Sequence, residues 1–148
     1  MHSSEATIAK RGIVALLKWH KSRSVGVKIL DDQHRGMMRI LNELHAAAMK
    51  GRVGEVAGPL LGQVSCTSRE HFSSEEELME QTKYPGLAEH RATHQALLAK
   101  SAEFLVRQDE GDMTAYVQLL YFVRDWFLDH LEQEDKKYTV WMNEHGIE

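Results

Sequence analysis

The chain has 148 residues, with 18 Lys and Arg against 22 Asp and Glu for a formal charge of −4, which fits one soluble domain able to bury about 70% of its unfolded surface without a staple. Its single cysteine, Cys66, excludes an intrachain disulfide and any Cys-rich metal or iron–sulfur site. The absence of a basic run excludes nucleic acid as an expected partner, and the lack of about 18 consecutive apolar residues excludes a membrane span.

The first 31 residues lack a clean period. Lys10 to Lys18 is briefly apolar but too short for a signal peptide, with no small-residue cleavage site after it, so the chain is expected to be cytoplasmic. An irregular N-terminal arm is expected, with a short helical piece around Ile13 to Trp19. Asp31 or Asp32 is a natural cap for a first helix over about 32–50, where Met37, Met38, Leu41, Leu44 and Ala48 share a face and Gly51 supplies the stop. A second helix carries Val56, Leu60, Leu61, Val64, His71, Glu75 and Leu78, with Pro59 near its first turn, and must end by Tyr84-Pro85-Gly86. The third presents His90, His94, Leu97, Leu98, Ser101, Phe104 and Leu105 and closes in the polar stretch from Gln108 to Gly111. Asp112 can cap the fourth, whose stripe runs through Tyr116, Leu119, Leu120, Val123, Phe127, Leu131 and Tyr138. Short polar connections place successive helices side by side, so the expected fold is all-α: an antiparallel up-down-up-down four-helix bundle with an N-terminal arm.

Nine histidines stand out in this pattern. His71 and Glu75 are four residues apart, as are His90 and His94, so each pair shares one helix face. His34 and His130 lie on the apolar stripes of the first and fourth helices. Any one of them could be a hydrogen-bonded core histidine. Five imidazoles and a carboxylate aimed at one interior would carry a heavy desolvation cost, which a metal relieves by using each lone pair. Asp135 stands five residues after His130, about 140° around a regular helix. A one-residue widening of π type near 128–136 would bring both to the same side. Five imidazoles and two carboxylates exceed the four ligands of one zinc and suit two six-coordinate transition metals. No Glu stands three residues before any His, so the Glu-x-x-His pairs of ferritin-like di-iron proteins are absent.

In order and spacing, His34, His71-Phe72-x-x-Glu75-Glu76-x-x-Met79, Tyr84-Pro85, His90-x-x-x-His94 and His130-x-x-x-x-Asp135 resemble the hemerythrin family. Trp19, Val25-Gly26 and Asp32-Gln33-His34 look like the opening of its bacterial branch, the bacteriohemerythrins. The resemblance divides the chain into an N-terminal extension, 1–18, and a hemerythrin-like domain, 19–148. It implies a non-haem di-iron protein that is not an enzyme and that binds O2 reversibly as a peroxide at one iron, for oxygen carriage or storage. By the same resemblance His90, His94 and His130 hold one iron, and His34 and His71 the other. Glu75 and Asp135 bridge the two irons (Fe2+/Fe3+) together with an oxo or hydroxo group. NO and small anions are further ligands the resemblance admits; no partner protein is implied. Phe127 stands where the family typically has Leu, so its ring is expected to narrow the O2 pocket. Met37 and Met38 replace bulkier residues on another wall. Gly36 is an odd helix-interior residue, costing about 1 kcal/mol relative to Ala.

The alternative function on the same site is an O2, NO or redox sensor, for which residues 1–18 are the one candidate transmitting element. A di-iron enzyme is a third reading, set aside because no acid or base beyond the ligands is apparent. His45 lies about 16 Å along the helix from His34, too far for the same centre. His2, His20 and His145 are read as solvated, and Glu76, Glu77 and Glu80 as a solvated helix face. Trp126 is read as packing or support for the site, and Cys66 as a small buried residue.

Overall fold

The computed structural model describes residues 16–112 and 114–148; of Val53, Val56 and Ala57 it describes the backbone alone. Four long helical rods form the expected bundle. They are α1 (Lys28–Met49), α2 (Val53–Gln81), α3 (Leu87–Asp109) and a fourth rod built of α4 (Ala115–His130), a π turn (Leu131–Asp135) and α5 (Lys136–Glu144). The links are three to five residues long, which forces antiparallel neighbours; α1 packs mainly on α2, and α3 on α4. No described helix is long and apolar enough to cross a membrane.

α1 begins four residues earlier than Asp32. Asp31 sits one turn inside it and reaches back, accepting from the Val25 amide at 2.9 Å and the Ser24 hydroxyl at 2.5 Å. The aspartate thus ties down the chain entering the helix and is not its N-cap. α1 stops where expected: Gly51 takes φ +68°, and the amides of Gly51 and Arg52 close on the carbonyls of Ala48 and Ala47. Gly26 is needed for a different reason. At φ +70° it lies so close to α5 that a Cβ would stand 2.8 Å from the Thr139 methyl. Thr139 and Asn143 donate to the Val25 and Gly26 carbonyls there, at 2.6 and 2.9 Å.

The expected helical piece around Ile13 to Trp19 is not found in its described part. Residues 16–20 are bend and coil, followed by a single 3-10 turn at Lys21–Arg23; Ile13 and the Val56 side chain lie outside the described residues. Here the Leu17 backbone bonds a side chain in place of its own helix: its amide donates to Asn42 Oδ1 at 2.8 Å, and its carbonyl accepts from Asn42 Nδ2 at 3.0 Å. α2 starts three residues before Val56, which moves Pro59 into the second turn, on an exposed face. Asp112 stands ahead of α4 and does not cap it directly. Its carboxylate accepts from the Thr114 amide at 3.0 Å and from Arg107 at 2.7 Å, fixing the turn from which the helix starts.

Candidate metal centre

Each rod delivers its share of one buried polar cluster. His34 comes from α1, His71 and Glu75 from α2, His90 and His94 from α3, and His130 and Asp135 from the fourth rod; none is more than 6% exposed. The fourth rod contributes both its residues through a departure from regular helix. The π turn at Leu131–Asp135 falls inside the expected 128–136 and swings Asp135 onto the side of His130. Asp135 Oδ1 lies 2.9 Å from His130 Nε2 and 3.2 Å from His90 Nε2, while its Oδ2 lies 3.3 Å from His34 Nε2. Glu75 is arranged in the same way. Its Oε1 contacts His90 Nε2 and lies 3.5 Å from His94 Nε2, and its Oε2 is 2.5 Å from His71 and 3.9 Å from His34.

The cluster therefore divides into two four-residue sets, Glu75 with His90, His94 and His130, and His34 with His71, Glu75 and Asp135. Within each set the donor atoms lie within 4.8 Å of one another. Buried polar atoms ordinarily find hydrogen-bond partners, yet Nε2 of His94 and His130, Oε2 of Glu75 and Oδ1 of Asp135 only crowd against one another, without the alignment of a hydrogen bond. All four point into the cluster, as donors to a cation would. The charge pattern agrees. Burial alone would raise the Glu75 carboxyl, but His71, His90 and His94 outweigh it and hold the group well below the usual carboxylate range. Burial and the Glu75 charge raise Asp135, and the imidazoles of His130, His34 and His90 beside it more than reverse this. His90 feels burial first, yet Asp135 and Glu75 carry it up to about 9. His94, with less carboxylate contact, is lowered by burial. Two ionised carboxylates inside a protein demand positive charge beside them. The donor set is one that iron accepts and that exceeds what a single zinc can use.

Residues 25–141 match the family model described as the hemerythrin HHE cation binding domain. The chain belongs to the hemerythrin family. It is 31% identical over 135 residues to a bacteriohemerythrin of Stenotrophomonas maltophilia (strain R551-3), covering 89% of this chain and 85% of that one. Myohemerythrin-1 of Phascolopsis gouldii is 29% identical over 120 residues, 81% of this chain and 89% of that protein. Crystal structures of hemerythrin single-residue variants superpose with a TM-score of 0.79 at 30% identity, covering 87% of this chain and 98% of theirs.

Around the hemerythrin-family cluster the supporting residues are specific. Gln33 Oε1 lies 2.7 Å from His71 Nδ1, and Gln33 Nε2 donates to Ser74 Oγ at 3.0 Å, which in turn donates to the Glu70 carbonyl. These bonds place a proton on His71 Nδ1 and turn Nε2 inward, against Glu75 Oε2 and 2.8 Å from His34 Nε2, where a cation would take its lone pair. Aromatic faces set two further rings. Phe72 stacks on His94 at 3.8 Å between centroids, and Trp126 on His130 at 4.3 Å. Thr93 Oγ1 stands 3.4 Å from His130 Nδ1. Sequence reading missed Gln33 and Thr93 as supports. Glu76, read as solvated, is half-buried: it accepts from Arg91 at 2.9 Å and lies 3.9 Å behind His94 Nδ1.

Of the three residues expected at an O2 pocket, Phe127 is buried edge-on to His34, with ring centroids 5.7 Å apart. Met37 and Met38 are both part of the buried core, and Met38 also lines an outer groove with Leu17, Trp19 and Arg35. Cys66 is exposed, since it falls off the apolar stripe of α2. His45 is only half-buried and away from the cluster, and His145 stacks on Trp141.

Proposed function

We propose that this chain is a non-haem di-iron protein that binds O2 reversibly and acts as an oxygen carrier or store. The observation that carries the proposal is the two donor sets sharing Glu75, with Asp135 presenting one oxygen to each. One set offers three imidazoles and the other two, so the second has the coordination room where a small ligand fits. When bound, the iron pair supplies electrons that pass to O2 on binding and return on release. His90, His94 and His130 would hold one iron and His34 and His71 the other, with Glu75 and Asp135 in reach of both sets. Gln33 would keep the His71 ring turned toward the metal. Phe127 and Phe72, both buried and packed against His34 and His94, would help keep water and acids from the centre, which favours release of the ligand unchanged.

A carrier role, and not an enzymatic one, fits the surroundings. Beyond the seven donors, the titratable groups near the cluster among the described residues are Glu76, behind His94 and paired with Arg91, and the buried Tyr138. Burial and the charges of Asp135 and Glu75 push the Tyr138 hydroxyl well above the ordinary phenol range, so it stays a neutral phenol. Sensing has one observation in its favour, the clasp between the Leu17 backbone and Asn42, two turns along α1 from His34. A sensor would alter hydrogen exchange at residues 16–27 between the oxygenated and deoxygenated protein; a carrier would not.

The metal content tests the reading. Anaerobic reconstitution with ferrous ion is expected to give two irons per chain, and His94→Ala is expected to lose iron while keeping parental helicity. One iron per chain, or preferential uptake of a single zinc, would overturn it.

A further inference from the structure

The half of the bundle away from the metal centre encloses a cavity of about 120 Å³. It is close in size to engineered apolar cavities that take up benzene-sized molecules. All four rods line it, mostly with Leu and Val such as Leu41, Leu97, Leu119 and Val123, and none of the seven metal-centre residues reaches it. Its polar lining residues are Ser65, Ser68 and Arg69 of α2 and Ser101 of α3, two helices whose mutual packing is sparse, and Arg69 is exposed, which puts the cation at the mouth. Further along the seam between them, Glu76 and Arg91 tie the two helices together at 2.9 Å. Among the described residues Arg69 has no carboxylate partner within salt-bridge distance, and it also borders a second groove beyond the seam.

A largely apolar chamber with a cationic mouth has the layout of a site for a small amphiphile. We propose that this cavity binds a short-chain aliphatic carboxylate, with its alkyl tail among the leucines and its carboxylate at Arg69 beside the three serine hydroxyls. A tail of about six carbons is comparable in size to the benzene-like molecules such cavities hold. The guanidinium supplies a planar pair of donors matched to a carboxylate, where an alcohol would engage only one. The lining serines give further hydroxyl donors. This site neither uses the iron pair nor depends on the oxygen reading.

The test is calorimetric titration of the full-length protein, with and without iron, using hexanoate and hexanol as probes. Hexanoate is expected to bind saturably at one site per chain. Arg69→Gln is expected to weaken hexanoate about tenfold, the scale of one charge-assisted hydrogen bond, and to leave hexanol within about twofold. Val64→Phe, which places a ring in the chamber, is expected to abolish binding of both; Ser101→Leu does the same from the opposite helix should Val64→Phe fail to fold. No saturable hexanoate binding would overturn the proposal. So would hexanoate binding unchanged in either filling variant, or an equal loss of both probes in Arg69→Gln, which would leave an apolar void without carboxylate recognition.

Discussion

His71 shows how one neighbour decides what a donor can do. An imidazole can carry its proton on either nitrogen, and only the contact with Gln33 at 2.7 Å leaves the inner nitrogen free for a metal. Gln33→Ala is expected to lower iron affinity about tenfold, the low end of the cost of removing such a support, at unchanged helicity. Chelator competition measures this, and parental affinity would show Gln33 to be packing alone. Phe127 acts on the other side of the same metal set, edge-on to His34. Phe127→Leu is expected to change O2 association or autoxidation rates with two irons retained; rates equal to the parent's would assign the ring to the core. All seven residues of the cluster could be read from the sequence because they recur at helical spacing on apolar faces, where a polar residue is conspicuous. Their supports could not. Gln33 and Thr93 sit just beside ligands in sequence, on faces where polar residues are ordinary, and their meaning depends on which ring a neighbouring helix brings near. Cys66 was misread because residue type was weighed above its angular position on α2.

Among the elements, the π turn carries the most functional weight. The i to i+5 spacing of His130 and Asp135 cannot put both on one face of a regular helix, and the widened turn at Leu131–Asp135 resolves that conflict. Because such a turn contains one residue more than a regular one, deleting the exposed Gln133 is expected to restore α-helical phase, with His130 and the aspartate still on one face. Iron binding should survive that deletion. Deleting Asp129, inside the regular part of the rod, should abolish it by rotating the two parts of the rod out of phase; metal counts on the two variants decide the point. The helix starts were less readable than the stops. Glycine after α1 forms a local motif, whereas the start of α1 depends on a clamp between residues 24–27 and α5, more than 100 residues away. Gly36, inside α1, has no atom within 4 Å of where a Cβ would stand. Gly36→Ala is therefore expected to raise stability by about 0.5–1 kcal/mol in urea unfolding.

At the scale of the molecule, the bundle keeps two unlike interiors end to end. One half holds seven buried polar side chains, and the other a largely apolar cavity of about 120 Å³. The four-helix architecture followed from helical periodicity and short links. The cavity did not, because a leucine stripe reads alike whether or not its neighbours fill the space between them. The buried carboxylates and the crowded imidazole nitrogens make sense together around a bound cation, and the family relationship is what points the proposal to iron. The most direct test is an anaerobic spectrum of the reduced, iron-loaded protein, followed by air and then by deoxygenation, with iron counted per chain. The structure predicts a visible charge-transfer band at two irons per chain that rises with air and disappears when O2 is removed. Immediate and irreversible conversion to the ferric state, with no such band, would contradict reversible oxygen binding at this centre.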